Sequence, residues 1–105
     1  MDNITTINSL RALVQQFVDD RNWQQYHNAK DISLSISIEA AELLEIFQWQ
    51  SNILNVSRLK LANIKDELAD VLIYCLSLAN SLDIDISEAI IHKMEKNERK
   101  YPCSS

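Results

Sequence analysis

Not one of the chain's 105 residues is glycine, and its single proline, Pro102, lies near the C-terminus. A chain with so few breakers reads as mostly helical. The same absence removes two common ways of holding a nucleotide. The P-loop and the dinucleotide-binding fingerprint both need glycine for close backbone approach to phosphate. Any phosphate chemistry in this chain must therefore rest on side chains and metal ions.

Hydrophobic spacing divides the chain into four helices. The first is expected over about 6–22, with Ile7, Leu10, Val14, Phe17 and Val18 at helical spacing. WQQYHNAKD (23–31) reads as a connecting loop with aromatic content. DISLSISIE, which follows, alternates apolar and polar residues, a strand signal when taken alone. Continued as a helix to about Trp49, however, it aligns Ile32, Ile36, Leu43 and Ile46 on one stripe, and nothing else in the chain offers a partner strand. Residues 50–57 are expected to be a loop or short helical connection. A long third helix spans about 58–81, carrying Leu61, Ile64, Leu68, Val71, Leu72, Cys75 and Leu78. LDID (82–85) is a turn, and Asp85 with Glu88 forms a capping pair for a last helix that ends near Lys100. The expected fold is all-α, a four-helix up-and-down bundle in one domain covering 1–105.

Two of these helices carry a charge where the pattern calls for an apolar residue. At about 100° per residue, Glu39 falls on the stripe of Ile32, Ile36, Leu43 and Ile46. Glu67 falls likewise among Ile64, Val71, Tyr74 and Leu78. Each has a second carboxylate three residues on, Glu42 and Asp70, and positions i and i+3 share a helix face. Two such helices packed together bring four carboxylates to one point, where they repel unless a divalent cation lies between them. Oxygen-only ligation suits Mg²⁺, with Mn²⁺ as a substitute, rather than zinc. A di-iron bundle is the rival metal reading, but such sites take histidine from Glu-x-x-His. Neither His27 nor His92 stands three residues after a glutamate. The plainer reading makes all four carboxylates solvated charges, ion-paired to Lys60, Lys65 or Lys93.

Charge and composition narrow the partners. A net charge of −5 with no basic run argues against a nucleic-acid polymer. An apolar share of 47% beside 24% charged residues is that of a soluble globular domain. No apolar run approaches the roughly 20 residues of a membrane span. The acidic start MDNITTINSL lacks the features of a signal peptide. Cys75 and Cys103 have no metal-ligand spacing and read as free thiols in a reducing cytoplasm.

The pair ExxE at 39–42 and ExxD at 67–70 resembles the signature of the MazG-like all-α nucleoside triphosphate pyrophosphohydrolases. RNWQQYH, EAAELLEIFQW, DELADVLIY and KMEKNERKYP look like the branch that includes the dCTP pyrophosphatases. The resemblance implies that Glu39, Glu42, Glu67 and Asp70 hold Mg²⁺ and that Lys93 and Asn97 contact phosphate. It also implies that Trp23, Trp49 and Tyr74 lie near the nucleoside. Val14 stands where some members carry a base-contacting histidine, so the likeness does not extend to base preference. The implied reaction converts a (d)NTP and water to (d)NMP and pyrophosphate, as nucleotide-pool house-cleaning. In it Glu42 serves as general base for the water, Glu39 is a second catalytic carboxylate, and Lys93 stabilises charge on phosphate.

Bland roles stand beside these. Lys93 shares a stripe with Ile86, Ala89, Ile90 and Asn97 and could be a snorkelling core-side lysine. The aromatic residues could be core or interface, and His27 could be a surface or capping residue. Arg21 and Tyr101 fit the rim of a site. Leu34, Ile38, Ala41 and Leu44 make the second helix apolar on more than one side, which favours a homo-oligomer, a dimer or tetramer. The competing function is a non-enzymatic helical interaction module whose carboxylates are structural.

Overall fold

The computed structural model describes residues 1–49 and 57–103. Four α-helices make up the described chain: α1 (Ile7–Asp20), α2 (Ala29–Glu45), α3 (Arg58–Ser81) and α4 (Ile86–Lys100). Each begins on a side chain that accepts a hydrogen bond from the backbone amide three residues on. Thr6 caps α1, Asn28 caps α2, Ser57 caps α3 and Asp85 caps α4. Such caps satisfy amides that have no partner within the helix, each worth about 1 kcal/mol. Where the backbone must turn through the left-handed region, Asn22 (φ 55°) and Asp83 (φ 52°) take the place of glycine. Their short polar side chains tolerate that conformation better than other residues do.

The boundaries depart from the sequence reading around the second helix. Trp23–Tyr26 is a 3-10 helix rather than loop, and α2 begins three residues earlier than its apolar stripe, at Ala29. The cause is Asn28, whose Oδ1 accepts from Asp31 N at 2.9 Å. At its other end α2 stops at Glu45, and residues 46–49 form turns instead of further helix. The strand-like alternation of DISLSISIE lies wholly within α2. The connection expected over 50–57 falls, except for Ser57, outside the described residues.

α2 packs along α3, and α1 packs on α3. The α2–α3 pair is antiparallel: Glu39 meets Asp70 and Glu67, while Glu45 and Ile46 share a pocket with Asn63 and Asp66. Among the described residues, Ile32, Val18 and Ala79 are the buried apolar side chains. α4 takes part in no packing of comparable extent. The all-α expectation with four helices holds for the described residues, and within one chain α4 is packed less than the other three.

The open arrangement has a measurable size. The radius of gyration is 16.5 Å, against about 13 Å for a compact domain of this length. The accessible surface is 8697 Å², against about 6,000 Å² for a compact monomer of this mass. Ile38 on α2, Leu72 on α3 and Ile91 on α4 are each more than half exposed.

Candidate metal centre

Glu39 and Glu67 sit where the helix period put them, on the faces that α2 and α3 turn toward each other. Glu39, Glu67 and Asp70 each bring a carboxylate oxygen within 4.8 Å of the others. The Oε2 atoms of Glu39 and Glu67 are shut off from solvent and have no hydrogen-bond partner. No lysine or arginine donates to them, so the ion-paired reading fails for these two residues. Glu42 is exposed at the edge of the group and lies outside the converging triad.

The electrostatics follow from that crowding. The carboxyl of Glu39 is raised from 4.5 to about 7. A hydrogen bond shared with Glu42, available when one of the two is protonated, is the largest cause. Burial comes next, then the negative charges of Glu42, Asp70 and Glu67. Glu67 is also raised, by burial first and by Glu42 after it, while a hydrogen bond with Glu39 acts in the opposite sense. Protons or a cation can relieve such a group, and little else can.

An open pocket of about 480 Å³ adjoins the group, lined by Glu42, Glu45, Ile46, Asn63, Asp66 and Glu67. Glu45 and Asp66 were not picked out by the sequence reading, although Glu45 extends the three-residue spacing of Glu39 and Glu42. The pocket's polar lining and oxygen donors suit a hydrated hard cation.

The other expected site residues scatter. Tyr74 is half-buried on α3, about one turn beyond Asp70. Trp23, in the 3-10 helix, meets Phe17 edge to face at 5.5 Å and leans toward His27 at 6.4 Å. Arg21 lies over the Phe17 ring, 3.5 Å from its centroid. His27 is tied to α3 rather than left on the surface, with Nδ1 3.3 Å from Ser77 Oγ. Trp49 follows α2 and is 89% exposed, so within one chain it is not gathered with Tyr74 or Trp23. Lys93 is exposed on α4 and Asn97 half-buried there, and neither lines the acidic pocket. Tyr101 is exposed beyond α4, its ring 5.3 Å from Lys100 Nζ.

Comparison with known proteins bears on both acidic helices. The chain is 35% identical over 101 residues to mouse dCTP pyrophosphatase 1, with 92% of this chain matched. Against the human dCTP pyrophosphatase 1 the identity is also 35%, over 102 residues and 93% of this chain. It covers 59% of the mouse protein and 60% of the human one, about three fifths of their length. A crystal structure of a pyrophosphatase from Archaeoglobus fulgidus superposes with a TM-score of 0.78 at 43% identity. That match covers 91% of this chain and 92% of the archaeal one. A family model described as MazG-like matches residues 34–105, which include all four carboxylates and the whole of α3 and α4. With all four carboxylates inside the matched region, the chain belongs to the MazG-like family.

Proposed function

We propose that the protein is a Mg²⁺-dependent nucleoside triphosphate pyrophosphohydrolase, converting a (d)NTP and water to (d)NMP and pyrophosphate in the upkeep of the nucleotide pool. The observation that carries this reading is the convergence of Glu39, Glu67 and Asp70, with two buried carboxylate oxygens lacking any donor. The relatives named as pyrophosphatases support the class of reaction. A purely structural role for the carboxylates leaves their mutual repulsion unrelieved, and for that reason the interaction-module reading ranks second.

In the proposed mechanism Glu39, Glu67 and Asp70 hold the cation, and Glu42 completes the set from the exposed edge. A divalent cation bound there supplies charge neutralisation and a water of lowered pKa. Glu42, facing the open pocket, accepts the proton of the attacking water. Lys93 and Asn97 contact the phosphates, and Lys93 offsets charge that develops as the α–β anhydride breaks. Tyr74 and the Trp23 ring bound the nucleoside, with Trp49 closing over it.

The same reading includes a homo-oligomer. One chain exposes about 2,700 Å² more than a compact monomer of its mass, an area of the order that a stable interface removes from water. The C-terminal half of α4 carries Lys93, Lys96, Arg99 and Lys100 beside Glu95 and Glu98, a net charge opposite in sign to the acidic group on α2 and α3. A second copy is the partner that fits both. α4 of that copy, laid against the acidic helices, covers apolar surface and brings Lys93 and Asn97 to the phosphates. No helix among the described residues is long and apolar enough to cross a membrane.

Three outcomes test this. Incubated with a panel of dNTPs and NTPs and Mg²⁺ or Mn²⁺, the protein releases pyrophosphate from at least one of them. Glu39→Gln and Glu67→Gln each lower that rate about 100-fold or more, the scale of losing charge stabilisation at the reacting group, while far-UV circular dichroism is unchanged. Near-normal turnover in either variant contradicts the assignment. Light scattering in solution gives a mass that is a multiple of 12.1 kDa; a monomer at micromolar concentration rules the shared site out.

A fourth outcome concerns pH. The Glu39 carboxyl ordinarily titrates at 4.5 and in the folded chain at about 7, so between these values the folded state holds the extra proton. Stability of the metal-free protein therefore falls as pH rises from 4.5 through 7. Mg²⁺ raises the Tm strongly at pH 8, where the carboxylates are ionised, and little at pH 5, where protons compete with it. Equal Tm shifts at the two pH values, or none at pH 8, contradict the metal centre.

A further inference from the structure

α4 carries Lys93 and Asn97 and has little packing against its own chain, so few contacts within one chain fix the direction in which it leaves α3. Arg11 of α1 is placed to do this. Its Nε donates to Asn80 Oδ1 on α3 at 2.9 Å, and Asn80 Nδ2 donates back to the Arg11 carbonyl at 3.1 Å. Its Nη1 donates to the carbonyl of Ile84 at 2.7 Å. Ile84 immediately precedes Asp85, whose Oδ1 accepts from Glu88 N at 3.0 Å and starts α4. The turn between α3 and α4 is itself tightly wound, with Ile84 N donating to Ala79 O at 2.9 Å and Asp83 in the left-handed region. One guanidinium thus joins α1, the end of α3 and the start of α4. Its planar fork fixes two acceptors at once, which a lysine ammonium does not.

We infer that Arg11 is a positioning residue: it fixes the direction in which α4 leaves α3, and through α4 it sets where Lys93 and Asn97 stand. The first half rests on the hydrogen bonds alone. The second rests on the proposed role of Lys93 and Asn97 at the phosphates.

The test reads both halves separately. Spin labels are placed at two exposed positions, Ala12→Cys on α1 and Glu98→Cys on α4, with Cys75→Ala and Cys103→Ser removing the native thiols. Labelled chains are diluted with unlabelled protein so that only distances within one chain are read. The otherwise unsubstituted protein gives one narrow distance distribution, and Arg11→Ala broadens or shifts it with helicity intact. Arg11→Lys, which keeps the charge and loses the fork, does the same and serves if Arg11→Ala folds poorly. Unchanged distributions in both variants overturn the inference. Kinetically, Arg11→Lys lowers kcat/KM about 10- to 100-fold, the scale of misplacing a contacting group. Mg²⁺ affinity at the carboxylates stays as it was. In a background carrying both Lys93→Ala and Asn97→Ala the Arg11→Lys effect shrinks below about twofold, because Arg11 acts through those two residues. Effects that multiply independently overturn the link to Lys93 and Asn97. If no nucleotide is hydrolysed by the unsubstituted protein, the proposed reaction fails, and the distance distributions still decide whether Arg11 sets α4.

Discussion

The constraint on which the site depends is the crowding of Glu39, Glu67 and Asp70 where α2 meets α3. α2 and α3 are pressed together along their apolar stripes, and at the centre of the contact those stripes are interrupted by Glu39 and Glu67, with Asp70 beside them. Packing the two helices brings like charges together, and separating the charges would separate the helices. The raised carboxyl of Glu39 is the mark of that crowding. On the proposed reading the conflict is the site: stability given up along α2 and α3 is returned when a divalent ion is held there. A solvated acidic surface would need no such arrangement, since its charges would simply point away from the contact.

Much of this was legible in the residues. Four helices followed from the missing glycines and the apolar spacing, and the turn at 82–85 with its Asp85 cap followed from local chemistry. The convergence of Glu39 with Glu67 and Asp70 followed from a period argument, because a glutamate on an apolar stripe must go where the stripe goes. Less legible were features set by single polar side chains. Asn28 starts α2 earlier than the apolar stripe indicates. His27 is drawn to Ser77, 50 residues away, which no local pattern announces. Glu45 and Asp66 line the pocket only because of the antiparallel register of α2 and α3.

How far the helices pack within one chain was not legible, for a different reason. Helical periodicity says which face of a helix is apolar, and it does not say whether the partner for that face belongs to the same chain. α4 has its apolar residues at the expected spacing, yet Ile90, Ile91 and Met94 remain more than half exposed. The second helix, apolar on more than one side, held the same information. Within one chain α4 packs little, and the turn before it is tied to α1 by the hydrogen bond from Arg11 to the Ile84 carbonyl.

The proposed site requires that the acidic group take a cation. Crystals grown with Mn²⁺ and measured at a wavelength where manganese scatters anomalously answer this directly. The expected result is an anomalous peak between the carboxylates of Glu39, Glu67 and Asp70, with Glu42 at its edge, and its loss in Glu39→Gln. A map with no peak there, or with manganese only on scattered surface carboxylates, would contradict the account.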